Sequence, residues 1–270
     1  MDAALESAKP HAPTGAGAHA ADGNMVFRVF KFAAALALLP LCAGMTLGAS
    51  DYLSSLNHGL PFFFKWCGWG ALSFGVFAIL LWRPVVVYVF GHELMHALAA
   101  WLCLGTVSNL SASASGGQVT TSKSNTLIRL APYCVPLYAL VATLIYALLN
   151  AFWRPLGLYF HWCAFALGFF YTFHLGFTLW SVRRDQPDFK QDGWLFSLVL
   201  IYLSNLAFAM LMMGFLFRGD IKQSWPALRD TSVAGWRHSG AIYHDLSSAA
   251  QRALQRNGAA RAEIETQNPE

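Results

Sequence analysis

The chain has 270 residues, of which 56% are hydrophobic, 15% aromatic and only 12% Asp, Glu, Lys or Arg, against roughly 25% charged residues in an ordinary soluble domain. That composition, drawn out in apolar runs of about 20 residues, excludes an ordinary soluble globule and indicates a polytopic helical membrane protein whose first partner is the lipid bilayer. The formal net charge of +4 is scattered over loops and tail rather than gathered in a basic stripe, which argues against a nucleic-acid partner.

In chain order, residues 1–24 are rich in Ala, Gly, His and Pro. They have too few large apolar side chains to build a core and are expected to be disordered. This opening is a poor match to the short basic start of a cleaved signal peptide, so the first apolar run is expected to be a retained helix. Candidate spans follow at Val29–Leu47, Trp66–Trp82, Pro84–Leu104, Leu127–Phe152, Leu156–Trp180 and Gly193–Phe217, each near the length that crosses the hydrocarbon core. Only Arg83-Pro84 separates the second from the third. Proline suits the first turn of a new helix, although one long kinked helix there would reduce the count to five. The positive residues Arg28, Lys31, Arg83, Arg154 and Arg218 mark their ends as cytoplasmic, whereas Arg183-Arg184 would then fall on the opposite side of a six-span chain.

Between the third and fourth spans, Gly105–Asn125 is made of Thr, Val, Ser, Asn, Gly and Gln. Val107, Leu110 and Val119 sit among β-branched and small residues, and Gly116-Gly117 offers a turn, which predicts a short β-hairpin at the membrane edge. Such backbone is tolerated at membrane depth only where it lines a wet cavity or packs on protein. The alternative is a Ser-rich surface loop. The five cysteines, Cys42, Cys67, Cys103, Cys134 and Cys163, show no CxxC spacing and read as small buried hydrophobes.

The third span contains Gly91-His92-Glu93-Leu94-Met95-His96, and Glu93 is the sole carboxylate between Asp51 and Asp185. A lone acid in a membrane helix costs several kcal/mol unless something compensates it. Residues four apart share a helix face, so His92 and His96 can present ring nitrogens to one metal ion about 2 Å from each. Glu93 then stands beside the ion, placed to take a proton from the water that the metal activates and to return it to a leaving amine. The competing reading makes the two histidines hydrogen-bonded punctuation in a buried helix, but three ionisable groups in five residues are hard to accommodate there without a metal.

A catalytic zinc needs three protein ligands and one open position. The acidic cluster before the sixth span, Arg183-Arg184-Asp185-Gln186-Pro187-Asp188-Phe189-Lys190-Gln191-Asp192-Gly193, offers the third as Asp192 or Asp188. Asp192 precedes a glycine where backbones can approach closely. Asp188 follows Gln186-Pro187, a turn that would aim its carboxylate inward. His174, on the fifth span, is a rival ligand or a hydrogen-bonded core histidine.

The stretch GHELMHALAAWLCLGTV, the Gly-Gly hairpin and LIRLAPYCVPLYAL together resemble the site-2-protease class of intramembrane zinc metalloproteases, peptidase family M50, and more narrowly its compact bacterial branch without a PDZ domain. The resemblance covers roughly Pro84–Phe217. It implies an all-α polytopic fold of about six transmembrane helices with a membrane-edge hairpin, organised as a segment 1–24, a transmembrane metalloprotease-like domain 25–218 and a polar tail 219–270. It further implies Zn2+ held by His92, His96 and an aspartate, with Glu93 as general base, substrates that are membrane proteins, and a bacterial inner (cell) membrane location. Asp192-Gly193 is the best match to the family's second motif. The fuller family run Asn-Pro-x-Pro-Leu-Asp-Gly-Gly is replaced here by Gln-Pro-Asp-Phe-Lys-Gln-Asp-Gly. The alternative function is a non-proteolytic metal-binding membrane protein, transporter-like or an inactive relative.

Overall fold

The computed structural model describes residues 19–55, 59–80, 84–152, 159–183, 187–218 and 221–267. Among the described residues nine helices and one hairpin follow each other: α1 (His19–Ser55), α2 (Leu60–Leu80), α3 (Val85–Leu102), β1 (Val107–Ser113), β2 (Gly116–Thr121), α4 (Thr126–Cys134), α5 (Leu137–Phe152), α6 (Phe160–Arg183), α7 (Pro187–Asp192), α8 (Trp194–Arg218) and α9 (Ile221–Gln267). Among the described residues α1, α2, α3, α6 and α8 contain helices long and apolar enough to cross a membrane, and the bent pair α4–α5, counted as one broken span, brings the number to six. The protein is therefore a mostly helical, multi-pass membrane protein with one two-stranded antiparallel hairpin.

Two expectations about the elements change. The fourth span is broken: α4 and α5 meet at 65°, because Pro132 and Pro136 lack the N–H groups that would carry the helix through. The Val135 N–H still reaches Ala131 O, but the Leu137 N–H turns to Val135 O at 2.8 Å. The Tyr133 carbonyl, which a continuous helix would have used, instead accepts from His174 Nε2 at 3.1 Å and Asn205 Nδ2 at 2.9 Å. In the hairpin, Gly116 and Gly117 open β2 rather than forming the turn, which falls at Ala114-Ser115. In the polar tail, Ile221–Gln267 form the 47-residue helix α9. It packs along α1, where Ser239 is buried and a Cβ on Gly44 would lie 2.1 Å from its Oγ. His238 Nε2 bonds Asp51 Oδ2 at 2.8 Å.

α2 ends at Leu80 and α3 starts at Val85, while Arg83 and Leu156 lie outside the described residues, as does the stretch 1–18. His19–Asn24 belong to the helical backbone of α1.

Helix α3 lies between two packed regions. On one side α2 and α6 press together through small residues: a Cβ on Gly70 would lie 2.0 Å from Phe165 O, and one on Gly168 2.0 Å from Cys67 O. Phe74 meets Phe169 and Phe173 edge-on at 5.4 and 5.6 Å between ring centres. On the other side Met95, Ala99 and Ala100 of α3 bury against Ile128 and Ala131 of α4. Leu130 and Tyr133 of α4 then pack on Phe189 of α7 and Ile201 of α8. That second region carries the site.

Candidate metal centre

One helical turn apart on α3, His92 and His96 bring their Nε2 atoms to 3.2 Å from each other. Each Nε2 is 3.9 Å from Asp188 Oδ2, and one ligating atom from each of the three residues lies within 4.8 Å of the others. The outer ring nitrogens are committed elsewhere. His96 Nδ1 sits 2.8 Å from the Ile128 carbonyl, and since a carbonyl only accepts, Nδ1 carries the proton and Nε2 turns its lone pair inward. His92 Nδ1 is 3.2 Å from the Tyr88 hydroxyl, which is itself 2.6 Å from Ser181 Oγ. Tyr88 is fixed by stacking on Phe177, ring centres 4.4 Å apart. Partners of this kind on the outer nitrogen are what orient metal-ligating histidines.

The three side chains fit a metal ion. Two ligands about 2 Å from an ion at a tetrahedral angle stand roughly 3.3 Å apart, close to the separation of the two Nε2 atoms. The nitrogen–oxygen edges are longer by about half an ångström, a gap that the soft terminal torsion of Asp188 can close. Two neutral imidazoles and one carboxylate are a donor set suited to a catalytic zinc with an open fourth position.

Of the two aspartates weighed in the sequence, Asp188 joins the histidines and Asp192 does not. Asp192 is fully buried one turn later, with its oxygens occupied by cations. Arg129 donates from Nε to Oδ2 and from Nη2 to Oδ1, both at 2.8 Å. Thr126 Oγ1 donates to Oδ1 at 2.7 Å, and Lys31 Nζ completes the set. Burial works against the charge, but the hydrogen bonds from Arg129, Lys31 and Thr126 outweigh it and hold the carboxyl down at about 2. A carboxylate already carrying this fork of donors has little left to offer a metal. The two differ in what reaches them: Arg129, Thr126 and Lys31 take Asp192, while Tyr133 and the two histidines of α3 lie at Asp188. Gly193, with φ of +85°, ends α7 and turns the chain into α8.

His174 is buried and hydrogen-bonded to Tyr133 O and, at 3.1 Å, to Asn205 Oδ1. It serves the carbonyl freed by the α4–α5 break and stays out of the ligand group. Glu93 faces a cavity of about 500 Å³, lined on α3 by Val85, Tyr88, Val89 and His92, on the hairpin by 114–117, and on α6 by Trp180. The hairpin crosses this cavity at Gly117, where a Cβ would lie 2.6 Å from Glu93 Cγ and 2.9 Å from its Oε1. Only a glycine lets the strand pass so close to the carboxylate.

Sequence reasoning missed Tyr133, Arg129 and Lys31. Tyr133 donates to Asp188 Oδ2 at 2.9 Å and sets its ring edge-on against His92. Arg129 and Lys31 left a signal, since each is the sole charged residue of its apolar span. An isolated cation at that depth implies a buried carboxylate partner.

A scan against protein-family models finds no match, and searches of curated proteins and of solved structures also return none.

Proposed function

We propose that the protein is an intramembrane zinc metalloendopeptidase that hydrolyses peptide bonds in the membrane-embedded segments of other proteins, in a bacterial inner membrane. The observation that carries this reading is the convergence of His92, His96 and Asp188 beside a cavity that both His92 and Glu93 line. A binding role alone needs the three ligands; it has no use for a carboxylate directed into the open cavity beside them.

His92, His96 and Asp188 would hold the ion. When bound, zinc supplies a Lewis acid that polarises the scissile carbonyl and makes water a nucleophile near neutral pH. Glu93 acts as general base, accepting one proton from the attacking water and delivering it to the departing amine nitrogen, so peptide and water yield a carboxylic acid and an amine, whose own proton exchange then gives carboxylate and ammonium. Tyr133 and Tyr88 keep Asp188 and His92 in place through their hydroxyls. A substrate helix must unwind before its backbone can reach the cavity, and a free edge of the β1–β2 hairpin offers hydrogen bonds to the extended strand that results.

The direct test is cleavage of a single-span membrane peptide in detergent micelles by the purified full chain, with and without chelator, and by Glu93→Gln. Cleavage that disappears with chelator and in Glu93→Gln, while the variant keeps its metal, is the expected outcome. No cleavage of any such peptide by a metal-loaded chain would leave the metal-binding reading and remove the protease.

A further inference from the structure

We infer that Asp192 is a positioning residue for the metal centre: clamped by Arg129, Thr126 and Lys31, it sets the short helix α7 so that Asp188 meets His92 and His96. The inference rests on those three side chains being the metal ligands. Helix α7 has six residues, too few to be stable alone, so the direction of Asp188 must be imposed from outside. Asp188 and Asp192 are four apart and share a face, and both are held by one neighbour. At the start of α4, Thr126 and Arg129 take Asp192, and near its end Tyr133 takes Asp188. Between them Ile128 offers the carbonyl that orients His96. Helix α4 is thus the template on which a histidine of α3 and an aspartate of α7 are brought into register.

The clamp explains why two aspartates and two cations occur here. Asp188 must keep a lone pair for the metal and, among the described residues, receives a tyrosine hydroxyl. Asp192 takes the charged donors, with the Arg129 fork fixing its plane as well as its position. Lys31 ties the clamp to α1, and its ammonium lies 5.0 Å from the centre of the Phe27 ring.

The test is titration of the metal-stripped full chain with Co2+ in detergent, reading affinity and the visible absorption band that reports the ligand set. Asp188→Ala provides the reference for loss of the third ligand. For Asp192→Asn, affinity is expected to fall about 10- to 100-fold, with the band moving toward that of Asp188→Ala. Asp192→Asn with unchanged affinity and band overturns the inference, as does weaker binding with an unmoved band, the mark of general loosening. Should Asp192→Asn fail to fold, Thr126→Val and Asp192→Glu keep every charge and are read by the same two criteria. Absence of Co2+ binding by the unaltered chain overturns the metal centre and this inference together, whereas binding by the unaltered chain that Asp192 does not influence overturns the inference alone.

Discussion

The α2–α6 face and the α3–α4–α7 face are both tightly packed, yet they are built from opposite materials. Between α2 and α6, glycines at 70 and 168 let backbones touch, aromatic rings fill the remaining space, and the Cys67 thiol bonds a carbonyl, Ala164 O, at 3.1 Å. Between α3, α4 and α7 lie two histidines, two aspartates, an arginine and a tyrosine, each with a named partner. In lipid, apolar surface gives helices little reason to prefer each other over the chains around them, so close backbone approach must hold the first face. On the second, polar groups that would each be costly alone compensate one another. The first region is held by backbone packing and the second by paired polar groups around a possible metal site, and substitutions should separate them.

The largest effect is expected from Gly168→Val. Its side chain would collide with the Cys67 backbone, so little monodisperse protein should survive detergent extraction, as size-exclusion chromatography would show. His92→Ala should do the reverse, abolishing metal binding while leaving extraction and thermal stability nearly intact. If His92→Ala unfolded the chain as thoroughly as Gly168→Val, the division between the two regions would fail.

Next comes Glu93→Gln, expected to keep its metal and to lose about 10²- to 10⁴-fold in turnover, the usual contribution of a general base. A smaller loss, on the order of tenfold in cleavage of a membrane peptide, is expected for Gly117→Ala, whose methyl would push Glu93 aside and narrow the cavity. Metal content should not change in Gly117→Ala.

The smallest effect is one of pH. The Asp192 carboxyl is lower in the folded protein than its ordinary value near 4, so the clamp contributes stability that is complete above about pH 4 and is lost as pH falls toward 2. The step should be about 2 kcal/mol. Thermal melting in detergent across that window should show it in the native chain and not in Asp192→Asn.

Much of this division is legible in the sequence, for reasons that differ between elements. Spans follow from apolar length, and the His92–His96 pair follows from helical spacing, because both depend on residues close in the chain. The β-hairpin was visible in the change of material at Gly105, though its turn was misplaced by about two residues, since Gly117 serves close passage over Glu93 rather than chain reversal. The break in the fourth span was written in Pro132 and Pro136, but its 65° bend depends on how His174 and Asn205 receive the freed carbonyl. The roles of Asp188 and Asp192 could not be separated by spacing, because both point to the same side of α7. What separates them is which cation reaches which carboxylate, a long-range fact carried by Arg129 and Lys31. The packing of α9 on α1 was hidden in the same way, behind a polar composition that conceals the small residues Gly235 and Ser239 facing Gly44 and Met45.

The most direct measurement is metal content by elemental mass spectrometry on chain purified without chelators, for the native sequence, His92→Ala, Asp188→Ala and Asp192→Ala. About one zinc per native chain is expected, lost in His92→Ala and Asp188→Ala, with Asp192→Ala retaining a reduced share that washes out readily. A native chain without metal, or a native metal indifferent to Asp188→Ala, would contradict the assignment of His92, His96 and Asp188 as the ligand set.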